Sequence, residues 1–256
     1  MSKEEKMLSA FSNILYIKEG IRLSPTQLKS TKADNILPQE VLDIIEKYKE
    51  YFNKIEEIVE FIDSTRNPYG IYDVVRKYAL ANGKIHYKDI KIKDEIIKVE
   101  DYYEPNNPEE YVIVMIDHIG LISPEKNYDT GIPMTLHESI GKLSSDYLIK
   151  LRNRFKYIPV VIQQQAAAQE SIENKKYNKL KPTLDGLAGN KETQRDSNVI
   201  LGLFSPFRHE IIDYHGYDIK FFKDNIRFLE ILASREGGGG TICPLYFDGA
   251  TNYFKE

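Results

Sequence analysis

The 256-residue sequence predicts an α/β fold: a mainly parallel sheet flanked by helices, with a β-hairpin toward its C-terminal end. Short runs rich in Val and Ile, at 112–116, 157–162 and 199–204, have the length and composition of strands buried on both faces. Amphipathic helical patterns separate them, and alternating strand and helix is the order that builds a parallel sheet. Last, two strand-like runs flank the four glycines at 237–240, as the arms of a hairpin would.

Composition bounds the class. The length suits one large domain, or a domain with an extension. Hydrophobic residues make up 41% and charged residues 29%, ordinary proportions for a globular chain. A net charge of −4 argues against a basic nucleic-acid coat but leaves room for a local basic loop. Cys243 is the single cysteine, which excludes a disulfide framework and a cysteine-based zinc site. No apolar run approaches the roughly 18 residues of a membrane span, and the N-terminus is charged where a signal peptide is apolar. The expectation is a cytoplasmic protein of a bacterium or a phage-infected bacterium, with no membrane partner.

In chain order, Met7, Leu8, Phe11, Ile14 and Leu15 line one face of a first helix, with Ser2 as N-cap and Gly20 as stop. Ser24-Pro25 starts a short second helix. From Pro38 a long helical pattern runs through Val41, Ile44, Ile45, Tyr48, Phe52 and Ile55. The apolar run at 58–63 reads as a strand, and Ile71, Val74, Val75, Tyr78 and Ala79 as a helix ending near Gly83. Residues 84–110 alternate like a hairpin and read as a surface insertion. After the strand at 111–117 and a loop, Leu136, Ile140, Leu143, Tyr147, Leu148 and Leu151 form the inner face of a long helix. The strand at 157–162 ends in Gln163-Gln164-Gln165, and the polar stretch 166–190 holds Lys175, Lys176, Lys179 and Lys181.

Chemistry is expected at Asp117. Ligands of parallel sheets bind at the carboxyl ends of the strands, where this residue falls, and a carboxylate there suits a metal-bound phosphate. Capping the following turn is the alternative role for the same residue.

Five motifs occur in one order: Ile-Asp-His-Ile-Gly-Leu-Ile; Ile-Pro-Val-Val-Ile-Gln-Gln-Gln; Leu-Asp-Gly-Leu-Ala-Gly-Asn; Gln-Arg-Asp-Ser-Asn-Val-Ile; and Leu-Ala-Ser-Arg-Glu-Gly-Gly-Gly-Gly-Thr before Pro-Leu-Tyr-Phe-Asp. Together they resemble the C-terminal, RecA-like P-loop NTPase motor domain of DnaB-type replicative helicases over residues 111–256. Residues 1–80 resemble, more loosely, the helical flank that follows that family's second strand. The resemblance implies a single motor domain over 1–256, using ATP and Mg2+, acting on single-stranded DNA and assembling as a homo-oligomeric, hexameric ring. It casts Asp117 as the residue that orders magnesium through water. Gln165, or Gln164 if the register slips by one, becomes the γ-phosphate sensor. Arg235 becomes the finger that reaches a neighbouring subunit's nucleotide. A strand-end polar residue and a solvated hairpin arginine are the plain alternatives for the last two.

The departures matter as much. The lysine that the family places two residues before the finger is replaced by Ala233. Residues 185–190, matching the family's second DNA loop, hold no arginine. Lys181, Lys191 or Arg195, or backbone amides at Gly186, Gly189 and Asn190, are the candidate DNA contacts instead. No Gly-x-x-x-x-Gly-Lys-Ser/Thr occurs anywhere, and the 237–240 glycines are followed by neither lysine nor helix. The chain therefore resembles a motor lacking its first strands, phosphate loop and catalytic glutamate, which an upstream helicase segment would supply. On this reading it does not hydrolyse ATP by itself. The other function class is a non-catalytic RecA-like module that binds a helicase partner or single-stranded nucleic acid.

Overall fold

The computed structural model describes residues 3–29, 36–92, 95–127, 130–165, 171, 173–174, 180–187 and 191–256. Contacts divide the chain into two compact units, Asp63–Ile200 with Leu232–Gly237, and Met1–Ile62 with Leu201–Ile231 and Gly238–Glu256.

The first of these units is built on α5 (Pro68–Ala81), the strands β1 (Gly83–Ile92) and β2 (Glu95–Pro105), the parallel pair β3 (Ile113–Asp117) and β4 (Ile158–Ile162), and one long helix between them. That helix opens as α6 (Leu136–Lys142), passes through a π-helical turn (Leu143–Leu148) and ends as α7 (Ile149–Phe155). Its start is fixed by a capping box: the Glu138 N–H donates to Thr135 Oγ1 at 3.2 Å and the Thr135 N–H to Glu138 Oε2 at 2.7 Å. The box satisfies two backbone donors that a helix start otherwise leaves without partners. The Thr135 N–H and hydroxyl hold the Glu138 carboxyl below its ordinary value. Leu143, Leu151 and Phe155 from this helix, Ala79 and Val75 from α5, and Ile119 after β3 form the core.

Val112, Val114, Ile116 and Val161 pack against that core from one face of the β3–β4 pair. On the other face Ile113, Met115, Ile158, Val160 and Ile162 are between 36% and 63% exposed. Burial on both faces, as expected for these strands, therefore holds on one. The β1–β2 hairpin forms as expected, pairing Gly83 with Pro105 and Ile92 with Glu95. It is more than a surface insertion: Ile85 is buried and Tyr103 packs edge-on against Phe155 at 5.1 Å.

In the second unit α1 (Lys3–Glu19) ends at Gly20, whose φ of +69° lets Gly20 and Ile21 donate to the Tyr16 and Leu15 carbonyls. The N-cap expected at Ser2 lies outside the described residues. A second capping box at Ser24 starts α2 (Pro25–Lys29), with Gln27 bonding back to the Ser24 N–H at 2.8 Å. The long helix expected from Pro38 is two, α3 (Gln39–Lys47) and α4 (Lys49–Ile58), divided at Tyr48. Phe11 of α1 stacks on Phe52 of α4 at 4.2 Å.

The strand expected at 58–63 does not form; 59–62 have no regular structure and Ile58 is 82% exposed. An apolar run becomes a strand only where another strand completes its ladder, and none pairs here. Two short strands, β6 (Asp213–Tyr214) and β7 (Tyr217–Asp218), pair only with each other. The larger sheet is four-stranded, ordered β10 (Tyr253–Lys255), β9 (Ile242–Asp248), β8 (Ile226–Ser234) and β5 (Val199–Phe204). The C-terminal hairpin is thus as expected, pairing Arg227 with Leu245 antiparallel. The strand at 199–204, expected in the parallel sheet, edges the hairpin instead. Its start lies beside the end of β8, where the Arg235 N–H donates to the Asn198 carbonyl at 2.9 Å. Parallel pairing among the described residues is limited to β3 and β4. Among the described residues no helix is long and apolar enough to cross a membrane.

Candidate functional site

Asp117 is the last residue of β3, opposite Ile162 of β4, so it stands at the carboxyl end of the parallel pair. It is exposed and shares the outward face of the strand with Ile113 and Met115, while Val114 and Ile116 alternate inward. The peptide to His118 is cis. His118 caps the turn that follows, its Nδ1 accepting the Gly120 N–H at 3.0 Å.

The exposure pattern of β4 continues through the three glutamines: Gln163 and Gln165 are half-buried and Gln164 is exposed. Gln163 Oε1 accepts from Thr193 Oγ1 at 3.1 Å. Gln165 forms an isolated antiparallel bridge with Leu187, which ties the end of β4 to the short 3-10 turn Leu184–Gly186. Carboxylate and glutamines therefore lie at the same end of adjacent strands, with Gln164 continuing the exposed pattern that Asp117 ends.

The candidate DNA contacts separate. Lys181 is exposed on the stretch before the 3-10 turn. Gly186 is buried, and its N–H already donates to Thr183 Oγ1 at 3.1 Å. That amide is engaged within the loop. Gly189, Asn190, Lys175, Lys176 and Lys179 lie outside the described residues.

Lys191 and Arg195 belong to another place. The helix α8 (Lys191–Asp196) leads into β5, and the Arg235 N–H donates to the Asn198 carbonyl at 2.9 Å, so the end of β8 lies beside the start of β5. Arg235 Nη2 donates to the Arg195 carbonyl at 2.6 Å. Lys191, Arg195 and Arg235 line one cavity of about 480 Å³, with Glu192 the one carboxylate among the described lining residues. The cavity frame is tied down from behind. The Asp196 carboxylate accepts from Ser144 Oγ at 2.8 Å and Ser145 Oγ at 2.6 Å. Arg152 Nη1 donates to the Asp196 carbonyl at 2.7 Å and to Asn198 Oδ1 at 3.0 Å. The sequence singles out Arg235 and Arg195 for different tasks, and Asp196, Ser144, Ser145 and Arg152 for none.

Two groups thus emerge: Asp117 with the glutamines at the carboxyl end of β3 and β4, and Arg235 with Arg195 and Lys191 around a cavity. Among the described residues no three His, Cys, Asp or Glu side chains converge as a metal cage.

No protein-family model and no curated protein matches the sequence. Among solved structures, an ATPase domain matches over 99% of this chain and 70% of that one, with a TM-score of 0.57 and 18% identity. The likeness is one of fold: the chain has the architecture of an ATPase domain, as the motif order implied.

Proposed function

We propose that this chain is the C-terminal part of a DnaB-like, ATP-dependent DNA helicase motor and contributes part of its ATP site. The observation that carries the reading is Asp117, exposed at the carboxyl end of a parallel strand pair in an ATPase-domain fold. Magnesium keeps most of its waters and takes one or two protein carboxylates together with nucleotide phosphates. A single exposed carboxylate at Asp117 fits that shared mode. Asp117 would hold the ion there, and magnesium would supply charge neutralisation to the phosphates. Asp117 would orient its water shell, Gln165 or Gln164 would read the terminal phosphate, and Arg235 would act on the nucleotide of a neighbouring subunit in a ring. Single-stranded DNA contact is assigned to the stretch 166–191, with Lys181 and Lys191 its described cations and Arg195 beyond it.

The reading requires a phosphate loop, and the 256 residues contain no such motif. That feature of the sequence favours the second reading, a non-catalytic RecA-like module that binds a helicase partner or single-stranded nucleic acid. Phosphate release separates the two. The purified chain alone is expected to give no ATP turnover. Co-expression with a polypeptide bearing a Gly-Lys-Ser/Thr loop and a Ser-Leu-Glu-like strand is expected to give DNA-stimulated turnover. Arg235→Ala then lowers it by about 10³-fold or more. Robust turnover by the chain alone, or complemented turnover indifferent to Asp117→Ala and Arg235→Ala, overturns the motor reading.

A further inference from the structure

We infer that Lys191 and Arg195 bind phosphate together with Arg235, making the cavity between α8 and the end of β8 a polyphosphate site that faces a neighbouring subunit's nucleotide. The inference rests on the reading of Arg235 as a finger and moves Lys191 and Arg195 from the DNA loop to the nucleotide.

Charge is the first argument. Among the described residues, three cations and one carboxylate line about 480 Å³ of open space, a volume within the range of small-ligand pockets. Arg195 has 73% of its side chain exposed, and the carboxylate oxygen it pairs with, Asp196 Oδ1, is 3.9 Å away. The other oxygen of that carboxylate is turned to Ser144 and Ser145. Asp196 therefore anchors the helix end without closing the Arg195 guanidinium into a tight pair.

Preorganisation is the second. Arg152 grips both the Asp196 carbonyl and the Asn198 side chain, and Asn198 in turn holds the Arg235 backbone. Arg235 itself commits Nη2 to the Arg195 carbonyl, which fixes its guanidinium beside the residue whose side chain shares the cavity. Ligand affinity rises when the donors are ordered before binding. Ala233 offers no cation from the strand, and Lys191 and Arg195 supply that charge from the facing helix.

Isothermal titration of the full chain with inorganic tripolyphosphate tests this, alongside titration with an oligo-dT strand. The wild-type chain is expected to bind tripolyphosphate, and Lys191→Ala, Arg195→Ala and Arg235→Ala each to weaken it by about tenfold or more. Arg195→Lys keeps the charge without the fork and is expected to restore part of the loss. Lys181→Ala leaves tripolyphosphate affinity unchanged. Absence of tripolyphosphate binding overturns the inference. So does a pair of Lys191→Ala and Arg195→Ala variants that lose oligo-dT affinity and keep tripolyphosphate affinity, which returns both residues to DNA. If Arg235→Ala alone weakens tripolyphosphate, the inference falls while the motor reading stands on complemented turnover. If turnover is indifferent to Arg235 yet all three variants weaken tripolyphosphate, the cavity binds polyphosphate and its assignment to a neighbour's nucleotide falls.

Discussion

Replacing Glu125 by alanine is expected to be among the costliest single changes in the unit that carries Asp117. The residue is 4% exposed. Its Oε1 accepts from Lys142 Nζ at 2.7 Å and from the Tyr147 hydroxyl at 3.3 Å, and its Oε2 from the Tyr69 N–H at 2.8 Å. Its own N–H donates to Ser139 Oγ at 3.1 Å. One carboxylate thus joins the segment after β3 to α5, α6 and the π turn. Breaking a buried ion pair costs about 3–5 kcal/mol, and the 20% exposure of the Lys142 side chain places this one near the lower end, about 3 kcal/mol. For a chain of this size that corresponds to roughly 6–12 °C in Tm. The chain has 18 tyrosines and no tryptophan, so tyrosine fluorescence with far-UV circular dichroism follows the transition. The double variant Glu125→Leu with Lys142→Met removes both charges and is expected to recover most of the loss. A Glu125→Ala loss below about 1 kcal/mol, or a double variant as unstable as the single one, refutes the reasoning.

Two further outcomes follow from charge placement. Asp196→Ala removes two hydroxyl bonds to a carboxylate that is 12% exposed, and is expected to cost about 2–4 kcal/mol in urea unfolding, with Asp196→Asn intermediate. Burial pushes the Asp248 carboxyl up, but the Arg22 guanidinium at 2.8 Å and the Ala250 and Thr251 N–H groups outweigh it and hold it below its ordinary value. A lowered folded-state value means that this stabilisation is complete above the unfolded carboxyl's value, about 3.9, and is lost as pH falls through the lower folded one. Thermal midpoints are therefore expected to be flat near neutrality and to fall below about pH 4. Arg22→Ala brings the folded value of Asp248 back toward the unfolded one, so it lowers stability at neutral pH and shrinks that fall.

Local pattern and long-range pairing part company in this chain. The helices are legible because apolar spacing is a property of the segment itself: Leu15, Val75, Ile140 and Leu151 are all buried as their periodicity requires. The break at Tyr48 and the missing strand at 58–63 are not, since apolar content alone does not say where a ladder partner stands. For the same reason β5 reads as a parallel core strand and pairs instead with the hairpin. Tyr103, set in an acidic stretch, gives no sign that it reaches Phe155. At the candidate site, Asp117 at a strand end follows from the residues around it. The cavity does not, because Arg195 and Arg235 are distant in sequence and meet only through the hydrogen bonds that join the end of β8 to Arg195 and Asn198.

The π-helical turn at Leu143–Leu148 bears on how this chain is to be aligned with any other. Leu143, Tyr147, Leu151 and Phe155 recur every fourth residue, and all four are buried. In an α-helix each such step drifts by roughly 40°, so Phe155 would point roughly 120° away from Leu143. A π turn holds one extra residue and takes back roughly 100° of that drift. The same widened turn carries the adjacent Ser144 and Ser145, which share a single Asp196 oxygen. A relative whose helix is α-helical throughout would therefore be one residue shorter within 143–148. An alignment that places that gap beyond Arg152 slips every position between, the counterpart of Arg152 included, by one residue.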